Sequence, residues 1–226
     1  MYLGLLLTTL SISFSIVVNA QGKPDWVLFG GVQTTSVEYR IDDVIQPNSY
    51  KYGAMAGVAL KVPFENRLHF FPAIYYSKKG YKVDFNRFSF PPGPEAKNNN
   101  TDIHTIEFSP MLHFDVTKKE SHPFIRIGPA VDFAFSGTEQ FDTAGGRVKR
   151  PMVFSFGDYG RITASLNIHL GYEFKNGLMI FGYYAHGMGD MNNADGGPHI
   201  VHRVAGISIG WRFIRNPLVM DTRVKE

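Results

Sequence analysis

The chain has 226 residues, a mean hydropathy of −0.12 and a formal charge of +3, and it contains no cysteine. Its length suits a single domain. The lack of cysteine excludes a disulfide scaffold, a thiolate metal site, a catalytic thiol and a lipid-modified N-terminal cysteine. Lysine and arginine are scattered along the chain, so no nucleic-acid partner is expected.

The first predicted element is a cleaved signal peptide over residues 1–20. Leu3–Val18 is uncharged and mostly apolar, and it ends in Val18-Asn19-Ala20, where compact residues occupy the two positions that signal peptidase reads. A stretch this short is typical of a signal-peptide core rather than of a membrane-spanning helix. Met1-Tyr2 supplies no positive charge ahead of it, and a retained N-terminal anchor helix is the alternative.

The rest of the chain alternates apolar residues with polar or small ones, which is typical of β-strands. The clearest run is 159–174, where seven apolar residues from Ile162 to Phe174 interleave with seven others from Arg161 to Glu173. No part of this region shows a convincing helical period. Eight strands are predicted, over residues 26–39, 51–62, 67–83, 105–116, 124–135, 159–174, 178–187 and 201–213.

The connections between these strands alternate between short and long. Three tight ones cover 63–66, 117–122 and 175–177, and the last contains Asn176-Gly177, a strong hairpin signal. Four long ones, rich in Asn, Asp, Gly and Pro, cover 40–50, 84–102, 136–158 and 188–199. Residues 97–101 are not expected to continue a strand. The pattern predicts an up-and-down meander with short turns at one end and long loops at the other.

Three features indicate that the apolar face points outward. The polar face carries mainly small residues with isolated charges, where a water-exposed sheet would carry far more Lys and Glu. The strands are longer than the soluble average of about 5–6 residues and reach the roughly 9–11 that a membrane strand needs. The apolar face also carries aromatic residues near strand ends, as interfacial girdles require: Tyr52, Phe114, Phe135, Tyr172, Phe174, Trp211 and Phe213.

These features predict an all-β fold: an eight-stranded antiparallel up-and-down transmembrane β-barrel over residues 21–213, preceded by the cleaved signal peptide. Lipid offers no partners to free backbone groups, so the sheet must close on itself. The predicted location is the outer membrane of a Gram-negative cell, with long loops extracellular and both termini periplasmic, including a C-terminal tail at 214–226. A secreted soluble barrel of the lipocalin type is the alternative, because its length and patterning overlap.

Residues 26–213 also resemble a known family. The matching segments are Phe29–Gly31, Gly53–Gly57, Phe71–Tyr81, Ser109-Pro110, Gly128-Pro129 and Gly210–Phe213. They are similar to the small outer-membrane β-barrel domains labelled porin-family or PorT-like proteins. The resemblance implies eight strands, residence in the outer membrane and, through PorT-like relatives, a link to protein secretion. Such barrels often end on an aromatic residue that the insertion machinery reads, whereas here Phe213 precedes a 13-residue tail, Ile214–Glu226.

Eight strands enclose a lumen that side chains can fill, so an open pore is not expected. Buried ions persist only when they are paired. A charge network that plugs the lumen is therefore predicted from Glu107, Arg126, Asp132, Arg161, Glu173 and Arg212. Folding the hairpins about their turns places Asp132 near Glu107 on one side and Arg161 to Thr163 on the other. The alternative is a gated proton or ion path through the same groups.

No catalytic, cofactor-binding or metal site is predicted. His199 and His202 point to opposite sides of a strand, and Asp190–Gly197 places its glycine one position late for a calcium loop. Whether Asp142–Ala144 accepts a sugar stays open. A lipid-acting enzyme could use four residues at the outer rim, but no triad or nucleophile-elbow spacing supports it: Ser136, Asp158, His186 and His199.

The sequence therefore predicts a non-enzymatic outer-membrane protein with a structural, surface-interaction or secretion-accessory role. A narrow, porin-like channel for small or amphiphilic solutes is the alternative. Expected partners are outer-membrane lipid and lipopolysaccharide, the barrel-insertion machinery, and other envelope or secretion proteins. A modest basic outer rim could contact anionic lipopolysaccharide, with ordinary solvation as the alternative. The rim consists of Lys97, Arg147, Lys149 and Arg150.

Overall fold

The computed structural model describes residues 23–213, so the signal peptide (1–20) and the C-terminal tail (214–226) lie outside the described residues and stay predictions. Within 23–213 no helix is long and apolar enough to cross a membrane. The strands are β1 (Asp25–Ile41), β2 (Val44–Ile45), β3 (Asn48–Ser49), β4 (Lys51–Glu65), β5 (Leu68–Asp84), β6 (Asn98–Asp115), β7 (His122–Thr143), β8 (Gly146–Pro151), β9 (Ile162–Glu173), β10 (Leu178–Gly187) and β11 (His199–Phe213).

Eight long strands form one closed sheet. They pair in chain order, each antiparallel to the next. β11 then pairs with β1 from Trp26–Phe213 to Arg40–His199, which closes the sheet into a barrel. The short strands β2, β3 and β8 pair with β1, β5 and β7 and belong to the long connections. The predicted eight-stranded antiparallel up-and-down barrel is confirmed.

Two of the predicted long loops are shorter than expected, because strands continue through them. β6 begins at Asn98 rather than near residue 105, and β7 runs to Thr143 rather than ending near residue 135. Residues 98–100 pair with 82–84 on one side, and Asn100 pairs with Gln140 on the other. The expectation that 97–101 cannot continue a strand is wrong for 98–101, since the ladder satisfies the backbone of an asparagine-rich segment as well as that of an apolar one.

The tight turns all lie at one end of the barrel. Asn66 and Gly177 have φ angles of 49° and 88°, the left-handed conformation that tight hairpins favour. A side chain at 177 would also collide with the Arg212 carbonyl oxygen. We call this end the short-turn end. The opposite end carries the connections at 42–50, 85–97, 144–161 and 188–198, and we call it the long-loop end.

The outward face of the barrel is apolar along the strands, as predicted. In β9, Leu166 and Leu170 are exposed, whereas Ser165 and Asn167 between them are buried. All seven aromatic residues of the predicted girdle are exposed, by 38% to 86%. The apolar side chains therefore point away from the lumen, the arrangement that lipid favours and water does not.

Side chains fill the lumen. Near the short-turn end lie the buried side chains of Val27, Phe29, Phe71, Tyr75, Phe124, Met179 and Phe181. Toward the long-loop end lie those of Val37, Tyr39, Tyr81, Ile103, Tyr159, Met191 and Ile200. Small inward residues make room for these rings: a side chain at Gly171 would collide with both Phe124 and Phe181.

Candidate functional site

One cation and two carboxylates form an ion cluster in the middle of the lumen. The neighbouring strands β5, β6 and β7 carry Lys79, Glu107 and Asp132, and Glu107 lies directly opposite Asp132. The Lys79 Nζ lies 2.8 Å from Glu107 Oε1 and 3.0 Å from Asp132 Oδ2, and all three side chains are almost fully buried. We call these residues the middle cluster. The lysine gives both carboxylates the opposite charge that buried ions need.

Arg126 lies between the middle cluster and the short-turn end and is fully buried. Its guanidinium carbon lies 3.8 Å from the centre of the Phe71 ring and 4.1 Å from that of Phe124. Its Nε donates a hydrogen bond of 2.8 Å to His113 Nδ1. Aromatic faces, whose negative quadrupole attracts cations, thus surround this charge.

A second ion cluster lies at the short-turn end. We call Lys61, His69, Asp115, His122 and Glu173 the end cluster; they come from five different strands. The Lys61 Nζ lies 3.0 Å from Asp115 Oδ1 and 3.0 Å from Glu173 Oε2. His69 Nε2 lies 2.7 Å from Asp115 Oδ2, and His122 Nε2 lies 2.9 Å from Asp115 Oδ1. The end cluster therefore combines an ammonium, two carboxylates and two imidazoles.

Further charged and polar groups extend the end cluster in two directions. His113 Nε2 lies 2.6 Å from Asp115 Oδ1, and this histidine links the cluster to Arg126. The Arg212 Nε lies 2.6 Å from Glu173 Oε1, and its Nη1 donates a hydrogen bond of 2.9 Å to Asp25 Oδ2. Glu173 is thus flanked by Lys61 and Arg212.

The residues predicted for the lumen charge network divide into separate groups. Glu107 and Asp132 share Lys79 in the middle of the lumen. Glu173 and Arg212 contact each other at the short-turn end. Arg126 lies between these groups among aromatic rings. The ions therefore occupy successive levels of the lumen.

Arg161 does not join them, and its predicted place in the charge network is wrong: within residues 23–213 it pairs with no carboxylate, although it contributes to the wall of one small cavity beside Asp132. It is exposed and precedes β9, which begins at Ile162. Its guanidinium lies 5.2 Å from the centre of the Phe154 ring. The sequence interpretation extended the alternation of β9 one residue too far, into the connection that leads to the long-loop end. Thr163, the next inward position, does lie opposite Asp132.

Sequence reasoning missed the two lysines that pair with the buried carboxylates. Lys61 lies between Leu60 and Val62, two residues of the outward apolar face. Because side chains alternate in direction along a strand, the sequence indicates that Lys61 points inward. Lys79 follows Lys78, and two adjacent lysines conceal which one points inward. In the structure Lys78 is 41% exposed and Lys79 only 5%.

Glu139 joins the connections at the long-loop end. Its carboxylate accepts hydrogen bonds from the Tyr159 hydroxyl at 2.8 Å and from Arg150 Nε at 2.7 Å. Arg150 Nη2 also donates to the Pro92 carbonyl oxygen. Burial raises the pKa of Glu139 above its ordinary value, and the hydrogen bonds from Arg150 and Tyr159 oppose that rise. One carboxylate thus connects β7 with two of the long connections.

The basic outer rim expected from the sequence is partly neutralised. Arg147 Nε lies 2.7 Å from Asp142 Oδ1, and hydrogen bonds from Arg147 and Asn98 lower the pKa of Asp142 to about 2. Arg150 is paired with Glu139. Two of the four rim cations are therefore balanced by carboxylates of this chain. The other two, Lys97 and Lys149, are exposed.

The four residues considered for a lipid-acting enzyme do not assemble into one site. Ser136 lies opposite His104, Asp158 accepts a hydrogen bond from Ser155, the His186 ring bonds the Tyr184 hydroxyl, and His199 pairs with Asp190 at 2.7 Å. A nucleophile–base–acid arrangement requires hydrogen bonds among its own members. The described geometry instead gives each residue a different neighbour.

Two small cavities border the middle cluster inside the lumen. Each has a volume of about 10 Å³, and Lys79, Asp132 and His202 contribute to the walls of both. That is room for about one water molecule. Neither cavity could hold a solute larger than water.

The outer membrane protein beta-barrel domain family matches residues 19–193. No curated protein matches the chain. Similar solved structures include Ail, the attachment invasion locus protein of Yersinia pestis, at 14% identity over 85% of this chain and 100% of that chain, with a TM-score of 0.43. OprG from Pseudomonas aeruginosa is 13% identical over 84% and 96%, with a TM-score of 0.48. Neisserial surface protein A is 10% identical over 85% and 100%, with a TM-score of 0.42.

Proposed function

The chain belongs to the outer membrane protein beta-barrel domain family, and we propose that it is a non-enzymatic, non-conducting protein with a structural or surface-interaction role. Its location in the outer membrane follows from the family. We also propose that side chains plug the lumen and that the long-loop end is the interacting surface. A secretion-accessory role is one form of such an interaction, and the PorT-like resemblance stays a prediction.

The filled lumen is the observation that carries this proposal. The middle cluster, Arg126 with its aromatic rings, and the end cluster occupy successive levels between the two ends. The cavities beside the middle cluster hold about 10 Å³ each. A solute path would require buried ion pairs to separate, and a buried charge left without its partner costs roughly 3–5 kcal/mol. The packing therefore favours a plug over a channel.

The proposed orientation places the long-loop end outside the cell and the short-turn end in the periplasm. The barrel begins at Asp25 and ends at Phe213, both at the short-turn end. Outer-membrane barrels have short periplasmic turns and longer extracellular loops. That rule supports this orientation.

The long-loop end offers an ordered surface for an interaction. The β7–β8 hairpin is cross-linked by the Asp142–Arg147 pair at its tip and by the Glu139–Arg150 pair lower down. A preorganised surface loses less conformational entropy when it binds. Exposed Lys149 lies on this hairpin and gives anionic lipopolysaccharide a contact point.

Single-channel recordings in planar bilayers test the plug. We expect no reproducible conductance steps from the refolded wild-type protein. A variant with Lys79, Glu107 and Asp132 all replaced by alanine empties the middle cluster, and it too is expected to stay closed, because Arg126 with its rings and the end cluster still fill the lumen. Reproducible steps from the wild type would contradict the proposal and support the narrow channel.

Photo-cross-linking in native envelopes tests the interaction surface. A cross-linker at Val148 on the β7–β8 hairpin is expected to capture an envelope protein or lipopolysaccharide, whereas one at Ile168 on the outward wall is expected to capture membrane lipid alone. The absence of any specific adduct at Val148 would contradict the interaction role. Deletion is expected to leave lipid A and phospholipid profiles unchanged, and an altered profile would contradict the non-enzymatic assignment.

A further inference from the structure

The imidazole of His122 has one satisfied nitrogen and one unsatisfied nitrogen. Its Nδ1 lies 2.8 Å from the Lys119 carbonyl oxygen. A carbonyl oxygen only accepts, so Nδ1 carries the hydrogen, and Nε2 of the neutral ring presents a lone pair. That Nε2 is buried and has no hydrogen-bond partner. A histidine that donates one N–H to a backbone carbonyl and presents its other nitrogen to a cluster has the usual arrangement of a metal ligand.

The unsatisfied nitrogen faces two carboxylates. His122 Nε2 lies 2.9 Å from Asp115 Oδ1 and 3.9 Å from Glu173 Oε2. A lone pair and two anionic oxygens repel one another unless positive charge lies among them. Lys61 supplies such a charge, because its Nζ lies 3.0 Å from each carboxylate. The end cluster is therefore built around a cation.

His113 belongs to the surroundings of this position rather than to its ligands. Its ring and the carboxylates of Asp115 and Glu173 offer ligand atoms within 4.8 Å of one another. However, Arg126 Nε donates to its Nδ1, so its Nε2 carries the hydrogen and donates to Asp115 Oδ1 at 2.6 Å. His69 Nε2 lies 2.7 Å from the other oxygen of this carboxylate, Asp115 Oδ2. These two imidazoles orient Asp115.

We propose that the end cluster binds a first-row divalent metal ion such as Zn²⁺, with His122, Asp115 and Glu173 as ligands. An imidazole nitrogen with two carboxylate oxygens is a donor set that zinc accepts, and three protein ligands leave a fourth position for water. The ion displaces the Lys61 ammonium from between the carboxylates, so Lys61 acts as a tethered competitor. The bound ion joins β6, β7 and β9 at the short-turn end.

Zinc titration of the refolded full-length barrel in detergent tests the site. We expect one Zn²⁺ per chain by equilibrium dialysis and a higher thermal unfolding midpoint with zinc. His122→Gln removes a ligand nitrogen and is expected to weaken binding at least about tenfold, since even the groups that orient ligands are worth about 10–100-fold in affinity. The matched control is His199→Gln, because His199 also contacts a carboxylate, Asp190 at 2.7 Å, but lies at the long-loop end.

The Lys61→Met variant distinguishes a metal site from a cluster of ion pairs that binds no metal. Because the variant removes the competing ammonium, zinc is expected to bind it at least about tenfold more tightly than the wild type, in contrast to the loss in His122→Gln. Removing a buried cation can prevent folding, so the test also rests on His122→Gln, which leaves the Lys61 ion pairs intact. The proposal is overturned if the wild type binds no zinc at micromolar concentration, or if His122→Gln keeps the wild-type affinity and zinc-induced midpoint shift.

Discussion

The middle cluster and the end cluster both pair two buried carboxylates with one lysine, but they differ in the groups around those ions. Each places one lysine between two carboxylates inside the lumen, with nitrogen–oxygen distances of 2.8–3.0 Å. In the middle cluster the lysine and the two carboxylates contact one another, and the neighbouring cavities hold about one water each. In the end cluster His69 and His122 converge on one of the carboxylates, Asp115.

The two added histidines account for the difference in function that we infer. His69 Nδ1 and His122 Nε2 are buried without hydrogen-bond partners. A buried polar atom without a partner costs about 1–3 kcal/mol, so such atoms require an explanation. The middle cluster also has one such atom, the acceptor Asp132 Oδ1, whereas the end cluster presents an imidazole lone pair and so has the means to bind a ligand.

Removing the cation of the middle cluster should destabilise the protein most. Lys79→Met leaves Glu107 and Asp132 buried without their counter-charge and should lower the free energy of unfolding by about 3–5 kcal/mol. The matched control is Lys78→Met on the outward face, whose exposed pair with Asp102 is worth about 0–1 kcal/mol. Urea unfolding in lipid vesicles measures both. Equal losses from the two variants would contradict the inward position of Lys79.

Arg126→Met should have a smaller effect, although Arg126 is also a fully buried cation. The variant loses the interaction with the Phe71 and Phe124 rings and the hydrogen bond to His113, about 1–2 kcal/mol in all. It leaves no carboxylate without a direct partner. A loss as large as that of Lys79→Met in the same urea experiment would mean that Arg126 balances carboxylates at a distance.

Arg161→Leu should have little effect on stability. Arg161 is exposed, packs against Phe154 and has no carboxylate partner among the described residues, so we expect a change within about 0.5 kcal/mol, similar to that of Lys97→Leu on the outer rim. Thermal and urea midpoints of the two variants provide the comparison. A clear excess loss in Arg161→Leu would restore the place in the charge network that the sequence suggested.

The smallest effect concerns the tip of the β7–β8 hairpin. Because the folded pKa of Asp142, about 2, is below its ordinary value, this carboxylate stabilises the hairpin at pH values above the ordinary Asp pKa. The contribution is lost as the pH falls toward 2. Arg147→Gln removes the hydrogen bond that contributes most to this lowering, and it should raise the Asp142 pKa toward about 3.9. Carboxyl-carbon NMR titration measures the Asp142 pKa, and an unchanged value in the variant would contradict the pairing of Asp142 with Arg147.

The sequence predicted the wall of the barrel better than its interior. Alternation alone distinguishes outward Leu166 from inward Asn167, and counting along antiparallel strands is enough to bring Glu107 beside Asp132. The end cluster depends instead on the stagger of five strands around a closed barrel, which local patterns do not encode. Arg161 shows the limit at strand ends: it lies one residue before β9, where alternation no longer fixes which partners a side chain reaches.

In the membrane, the apolar wall is expected to face acyl chains while ions and rings fill the lumen. Both tryptophans of the chain, Trp26 and Trp211, point outward and are 47% and 43% exposed. Their fluorescence in vesicles that contain brominated phospholipid measures this contact directly, with Trp26→Phe and Trp211→Phe to separate the two signals. We predict strong quenching by brominated acyl chains and weak quenching by aqueous acrylamide. Quenching by acrylamide alone would contradict the account.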